Sequence, residues 1–217
     1  MLKRISVLML LSLVSSPASI TLDDYSFGYI TPFPPFDTPV GSGFVVGTSP
    51  MIVTCNHVVA DTARFKTNYL YGRGSDRIYA DVMKTFPDLD LAILKPRKDG
   101  IKRLHSIPVG DVTRMRQGDL IYYLGWDSTN NTIKLSTTKV LSVDSFQTNG
   151  TKIDRVHFKS IAYPGYSGGP ILNGTGEVVA LIVGGSNVGE KLTYAYSVAP
   201  AVQWLATNNP ATDPKRP

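Results

Sequence analysis

The sequence predicts an all-β fold of the sandwich or barrel kind. Three observations carry that expectation. From about residue 25 onward, short apolar or alternating runs recur at intervals of roughly 8–15 residues, the rhythm of sandwiches and barrels rather than of βαβ units. Gly, Asn, Asp and Pro separate those runs, and these are the residues that tight turns demand. Only one segment carries a convincing helical period, and it stands near the end of the chain.

Taken in order, the expected strands are 43–47, 51–55, 64–69, 78–85 and 89–94. A polar stretch at 111–118 forms a seam between two β-rich halves. Beyond it the expected strands are 120–125, 134–143, 153–159, 169–172, 178–184 and 192–198. Asn149-Gly150 and Asn173-Gly174 have the composition of tight hairpin turns, in which both positions take positive φ. The helix is expected over about 199–206. Pro200 suits its first turn, and Ala201, Val202, Trp204 and Leu205 give it an apolar face. Residues 208–217 are polar and Pro-rich and read as a loose tail.

The start of the chain reads as an export leader over 1–18. Lys3 and Arg4 precede an apolar stretch, and Ser16-Pro17-Ala18 places small residues where a signal peptidase inspects them. The apolar run is about half of the ~20 residues that a spanning helix needs, so a membrane anchor fits less well. The expectation is therefore a periplasmic or extracellular protein with no stable membrane insertion after the leader is removed.

Composition narrows the function. With 217 residues, 42% of them apolar, the chain can build a real core. A single cysteine excludes an internal disulfide and a Cys-rich zinc site. The formal charge is +5, of which the leader supplies two units, and the basic residues are scattered. A nucleic-acid partner is not expected.

Three segments carry chemistry. In Thr54-Cys55-Asn56-His57-Val58-Val59 a histidine closes a buried-looking strand. In Asp88-Leu89-Asp90-Leu91-Ala92 a carboxylate leads into an apolar strand. In Gly165-Tyr166-Ser167-Gly168-Gly169-Pro170 a serine sits in a glycine-rich turn. A serine hydroxyl is a poor nucleophile at neutral pH until a base takes its proton. Histidine is suited to that task, and a carboxylate on its other nitrogen fixes the tautomer and tolerates the charge that develops. Backbone N–H groups of a glycine-rich turn can then hold the oxyanion. Cys55 is less apt as the nucleophile, because it lies inside the strand before His57; a free Cys is commonly a small buried hydrophobe. Asp88 competes with Asp90, but after Pro87 it is better read as a turn residue. His105 has no recognisable context, and His157 is expected to be a structural strand residue.

The order His57, Asp90, Ser167, with these flanks and spacings of 33 and 77 residues, resembles the chymotrypsin-like serine proteases. It is most similar to their HtrA/Deg branch, through Gly41-Ser42-Gly43-Phe44, Asn56-His57-Val58-Val59, Asp90-Leu91-Ala92, the Ser167 turn and Gly176-Glu177-Val178-Val179. The likeness spans about residues 40–205.

That resemblance implies an exported serine endopeptidase acting through an acyl-enzyme. It implies His57 as general base, Asp90 as its orienting partner and Ser167 as nucleophile, with the N–H groups of Gly165 and Ser167 as oxyanion hole. It further implies two six-stranded antiparallel β-barrels, at about 25–112 and 116–198, with the cleft between them. No metal or organic cofactor is implied. Ile161 is expected at the base of the primary pocket, with Ile182, Val183 and Gly184 forming a wall that pairs with substrate backbone. An uncharged Ile161 predicts a small or medium aliphatic residue before the cut. The expected partners are extended or unfolded polypeptides. A catalytically latent peptide-binding module on the same fold is the alternative.

The chain departs from the branch in three ways. It ends at residue 217, so no PDZ domain is expected. Tyr166 stands where Asn or Asp is common, which suggests an altered pocket rim. Ile182-Val183-Gly184-Gly185 matches the new N-terminus of activated digestive zymogens, but its place after the nucleophile excludes that role. Five aromatics in 25–36 suit either a homotrimer contact or a leading strand packed on its own barrel, and a monomer stays open beside the trimer.

Overall fold

The computed structural model describes residues 26–32, 38–60, 69–73, 76–97, 104–160, 164–186 and 191–208. The expected leader, most of the expected strand 64–69, Ile161 and the tail beyond 208 lie outside them.

Among the described residues, twelve strands form two closed barrels. The first holds β1 (Phe27–Thr31), β2 (Gly41–Val46), β3 (Met51–Thr54), β4 (Tyr69–Arg73), β5 (Asp76–Phe86) and β6 (Leu91–Pro96). Its order is β1-β2-β3-β6-β5-β4, and pairing of Tyr29 with Gly72 closes it. The second holds β7 (Leu120–Asp127), β8 (Thr132–Thr148), β9 (Thr151–Lys159), β10 (Pro170–Leu172), β11 (Val178–Ser186) and β12 (Leu192–Ser197). Its order is β10-β11-β12-β9-β8-β7, closed where Ile171 pairs with Tyr123. Every named pairing is antiparallel, as the short connections require. Closure leaves neither sheet with a free edge.

Strand boundaries follow local chemistry. β2 and β3 are buried along their whole length, which is why they read as continuous apolar runs. β8 is longer than expected because it is mostly exposed: of its 17 residues only Val140 is buried, so no apolar pattern marks its ends. Asn149 (φ 46°) and Gly150 (φ 77°) make the β8–β9 turn as their composition predicts. Asn173-Gly174 does not make such a turn. The Asn173 side chain accepts from the N–H groups of Thr175 and Glu177, each at 3.0 Å, and the left-handed residue is Gly176 (φ 83°). β1 is not among the strands that periodicity marks; it is the middle of the aromatic segment 25–36, laid along the first barrel.

The barrels pack on each other rather than hanging from a linker. One apolar cluster runs from Phe44 and Ile52 of the first barrel to Leu124, Leu172 and Leu181 of the second. The terminal helix, Ala199–Asn208, adds Ala201 and Leu205 to the cluster and sets Trp204 edge-on to Phe86. Tyr29 and Trp126 meet across the junction with ring centroids 4.6 Å apart and planes tilted at 50°. That junction is where the chemistry-bearing segments meet.

Candidate active site

His57 is carried by a single helical turn, α1 (Asn56–Val59), directly after β3. Val58 and Val59 are buried and anchor the turn, which leaves the His57 side chain 49% exposed. Its backbone N–H donates to Asp90 Oδ1 at 2.8 Å, and its Nδ1 lies 2.7 Å from Asp90 Oδ2. One carboxylate therefore fixes both the main chain and the ring of His57.

Asp90 reaches that position through an unusual backbone. Pro87–Leu89 form a 3-10 turn, and Asp90 caps it in the left-handed region at φ 45°, its N–H returned to the Pro87 carbonyl. Aspartate is among the few non-glycine residues that adopt this region readily. β6 accordingly begins at Leu91, not at 89. Asp88 stays on the turn, where its Oδ1 accepts from Asn149 Nδ2 at 2.7 Å.

The Ser167 turn is shaped by glycines that nothing larger could replace. Gly165 has φ 101°, and a Cβ there would stand 2.6 Å from the Trp126 carbonyl oxygen. Gly168 has φ 85°, and a Cβ there would stand 2.2 Å from the Ser42 carbonyl oxygen. Both positions combine positive φ with close backbone approach, so a side chain is excluded twice over. Ser167 Oγ points to the Val183 carbonyl at 3.5 Å, a long contact. Val183 sits in a register shift of the β11–β12 pairing, between Ile182↔Ala195 and Gly184↔Tyr194. Such bulges re-aim a backbone group, here the carbonyl facing Ser167.

Ser42, from the first barrel, holds this turn in place. Its Oγ donates to the Gly165 carbonyl at 2.6 Å and accepts from the Trp126 N–H at 2.8 Å. Its N–H donates to the Ser167 carbonyl at 2.8 Å, and its carbonyl accepts from Thr54 Oγ1 at 2.7 Å. In the sequence Ser42 stands inside a motif without an evident role of its own. The only available signal is a small hydroxyl residue between two glycines of a buried strand.

Cys55 lies behind the carboxylate. It is fully buried, and its thiol donates to the Ile182 carbonyl at 3.2 Å. Burial, with the Asp90 charge next in weight, pushes that thiol well above its ordinary value. It is a protonated side chain packed under the site, in keeping with its exclusion as nucleophile.

Two expectations about the surroundings change. Ile182 is buried, its N–H donates to the Gly169 carbonyl, and its carbonyl accepts from Gly168 N–H and the Cys55 thiol. Both backbone groups are used inside the barrel, so Ile182 cannot pair with a peptide. Val183 and Gly184, half-buried and next along the strand, remain at the surface of the cleft. Gly184 is capped by Tyr194, whose hydroxyl stands 2.8 Å from where a Cβ would be. Tyr166 does not form a rim: it is buried, covers Gly125 and contacts Tyr123, because the turn points it into the second barrel. His157 pairs with Asp144 on the β8–β9 hairpin at 3.3 Å, and His105 is exposed beside Ser26. Ile161 lies outside the described residues.

A histidine held by a carboxylate in one barrel, and in the other a serine whose hydroxyl faces the Val183 carbonyl from a glycine-shaped turn, belong to a chymotrypsin-like architecture of two antiparallel barrels. The model of the trypsin-like peptidase domain matches residues 41–181, and the chain belongs to that family. Its curated relatives are of the HtrA/Deg kind. It is 32% identical over 146 residues to a Pseudomonas putida protein named "Probable periplasmic serine endoprotease DegP-like", covering 65% of this chain and 28% of that one. It is 30% identical over 158 residues to the mitochondrial serine protease HTRA2 of Bos taurus, covering 69% of this chain and 33% of that one. The chain thus spans about a third of the length of these relatives. Among solved structures, the HtrA-type protease AlgW with a tripeptide superposes with a TM-score of 0.70 at 18% identity, over 85% of this chain and 60% of that one. Deg5 superposes at 0.67 and 22%, over 85% and 90%. These likenesses carry the fold.

Proposed function

We propose that the protein is an exported serine endopeptidase working through an acyl-enzyme. The observation that carries this reading is the double hold of Asp90 on His57, at 2.8 and 2.7 Å, in the same barrel as the Ser42 that ties down the glycine-shaped Ser167 turn. Asp90 keeps the imidazole proton on Nδ1 and leaves the Nε2 lone pair free. Nε2 takes the Ser167 proton as Oγ attacks the peptide carbonyl. The Gly165 and Ser167 N–H groups receive the developing oxyanion. His57 returns the proton to the leaving amine, and water repeats the sequence on the acyl-enzyme.

Substrate is an extended polypeptide lying along Val183 and Gly184. The uncharged Ile161 and the Tyr194 ring over Gly184 favour a small or medium aliphatic residue before the cut. The organisation expected from the sequence accompanies this reading: a leader over 1–18, a protease domain over 19–207 and a tail over 208–217. The periplasmic name of the P. putida relative supports export. No helix among the described residues is long and apolar enough to cross a membrane.

The test is labelling with a fluorophosphonate probe, then cleavage profiling on a denatured protein. The expected result is one labelled site, lost in Ser167→Ala, with aliphatic residues before the cut. An unlabelled, folded protein that still binds extended peptides would instead establish the latent peptide-binding module. A dominant Arg, Lys or Glu before the cut would overturn the pocket assignment.

A further inference from the structure

The donors beneath His57 form a group of their own. Cys55 Sγ, a ring nitrogen of His57 and a carboxylate oxygen of Asp90 all lie within 4.8 Å of one another. They are one soft, one intermediate and one hard donor, the mixture that suits a borderline-soft divalent cation. They sit on two segments: Cys55 caps the start of α1, which carries His57, and Asp90 caps the 3-10 turn.

We propose that Cys55, His57 and Asp90 form an inhibitory site for a Zn2+-type cation, which switches the proposed protease off. Tetrahedral zinc holds S, N and O donors at roughly 2.0–2.3 Å, so donor atoms around it stand roughly 3.3–3.7 Å apart. The three atoms here need only small shifts: the His57–Asp90 pair opens from 2.7 Å, and the thiol closes in. Access runs through the imidazole. Cys55 is fully buried, but the His57 side chain is 49% exposed and Asp90 21%, so a swing of the ring opens the path. Water takes the fourth position.

The proton balance explains the inhibition. In the active tautomer Nδ1 carries the proton and Nε2 the lone pair. Cation binding at Nδ1 leaves a neutral ring with its proton on Nε2, and the Cys55 thiol releases its proton to solvent. Thiolate and carboxylate together neutralise the two positive charges of the cation. Nε2 is then a donor and cannot take a proton from Ser167. The cation is no cofactor here: it occupies the nitrogen that orients the base.

Cation binding rests on the geometry of the three donors; inhibition rests on the proposed triad, and the experiment separates the two. Folded Ser167→Ala protein is titrated with Zn2+ by calorimetry and with Cd2+ by ultraviolet absorption. The expected result is one equivalent bound, with a thiolate-to-cadmium charge-transfer band. In Cys55→Ser and in His57→Ala, each built on Ser167→Ala, binding weakens at least about 100-fold and the band is lost for Cys55→Ser. Fluorophosphonate labelling of the unsubstituted protein falls in proportion to Zn2+ bound and recovers with EDTA. Absence of the band, unchanged affinity in both variants, or full labelling of saturated protein would each overturn the site. If the unsubstituted protein is never labelled, the protease reading fails, and the titrations decide the cation site alone. Should Cys55→Ser not fold, His57→Ala, at a half-exposed position, tests the same donor set.

Discussion

Asn149, at the tip of the β8–β9 hairpin, donates to Asp88 Oδ1 at 2.7 Å, and Asp88 belongs to the 3-10 turn that ends on Asp90. A residue of the second barrel thereby braces the turn of the first barrel that aims the carboxylate at His57. The contact is exposed, so its net worth is about 1 kcal/mol. Asn149→Ala is expected to lower kcat about fivefold with KM unchanged, because its partner is the Asp90 turn and not Val183 or Gly184, where the proposed substrate lies. Peptide hydrolysis together with thermal melting checks this; an equal loss of stability with no change in kcat would refute the bracing role.

Ser42→Ala removes a hydroxyl that serves two backbone groups at once, the Gly165 carbonyl and the Trp126 N–H. Both are left without that partner at a buried junction, at a cost of about 1–3 kcal/mol. The expected outcome is a lower melting temperature and a lower rate of fluorophosphonate labelling, since the freed Gly165 peptide no longer holds the turn. The measurement is the labelling rate at a temperature where circular dichroism shows the variant folded.

Gly168→Ala is the harshest single change expected here. Its Cβ would meet the Ser42 carbonyl oxygen at 2.2 Å and Thr54 Oγ1 at 2.4 Å, on a backbone with φ 85°. Two clashes and a disfavoured dihedral put the cost at about 3 kcal/mol or more. Urea unfolding should show a large drop in midpoint. Gly174→Ala, where a Cβ meets open space, serves as the control with little change.

The acid limb of stability should respond to Arg155. Its guanidinium grips Asp144 with two bonds of 2.8 Å and holds that carboxyl below its ordinary value of 3.8, with His157 contributing less. The unfolded chain binds the Asp144 proton more tightly than the folded one. The stabilisation is therefore full above the ordinary value and is lost as pH falls through the lowered one. Arg155→Gln is expected to lower stability slightly above the ordinary value, given the pair's exposure, and to leave it unchanged below the lowered one, so that the stability–pH curve flattens between them. Urea midpoints between pH 2 and 6 check it.

How much of the molecule is legible in its sequence varies with burial. β2, β3, β6 and β11 are plain to read, because strands buried on one or both faces are apolar in ways a periodicity shows. The ends of β8 are not, because an exposed ribbon has no apolar face to mark them. His57, Asp90 and Ser167 can be read because each sits in a short segment whose neighbours repeat a family pattern. The roles of Ser42 and Asn149 and the placement of Cys55 cannot. They come from contacts across 123, 61 and 127 residues, and no local spacing records such distances. Ile182 misleads for the opposite reason: its strand is the cleft wall, but the bulge at Val183 decides which residue of that strand faces out.

The dependence of the Ser167 turn on Ser42 has a consequence for how the molecule comes into being. On the proposed reading neither barrel alone holds a working centre, since the serine is in one and the residue that clamps its turn is in the other. On that same reading, a half-finished chain would lack Ser167 and a half-unfolded one the clamp on its turn, so neither would cut, which protects whatever surrounds the protein while it matures.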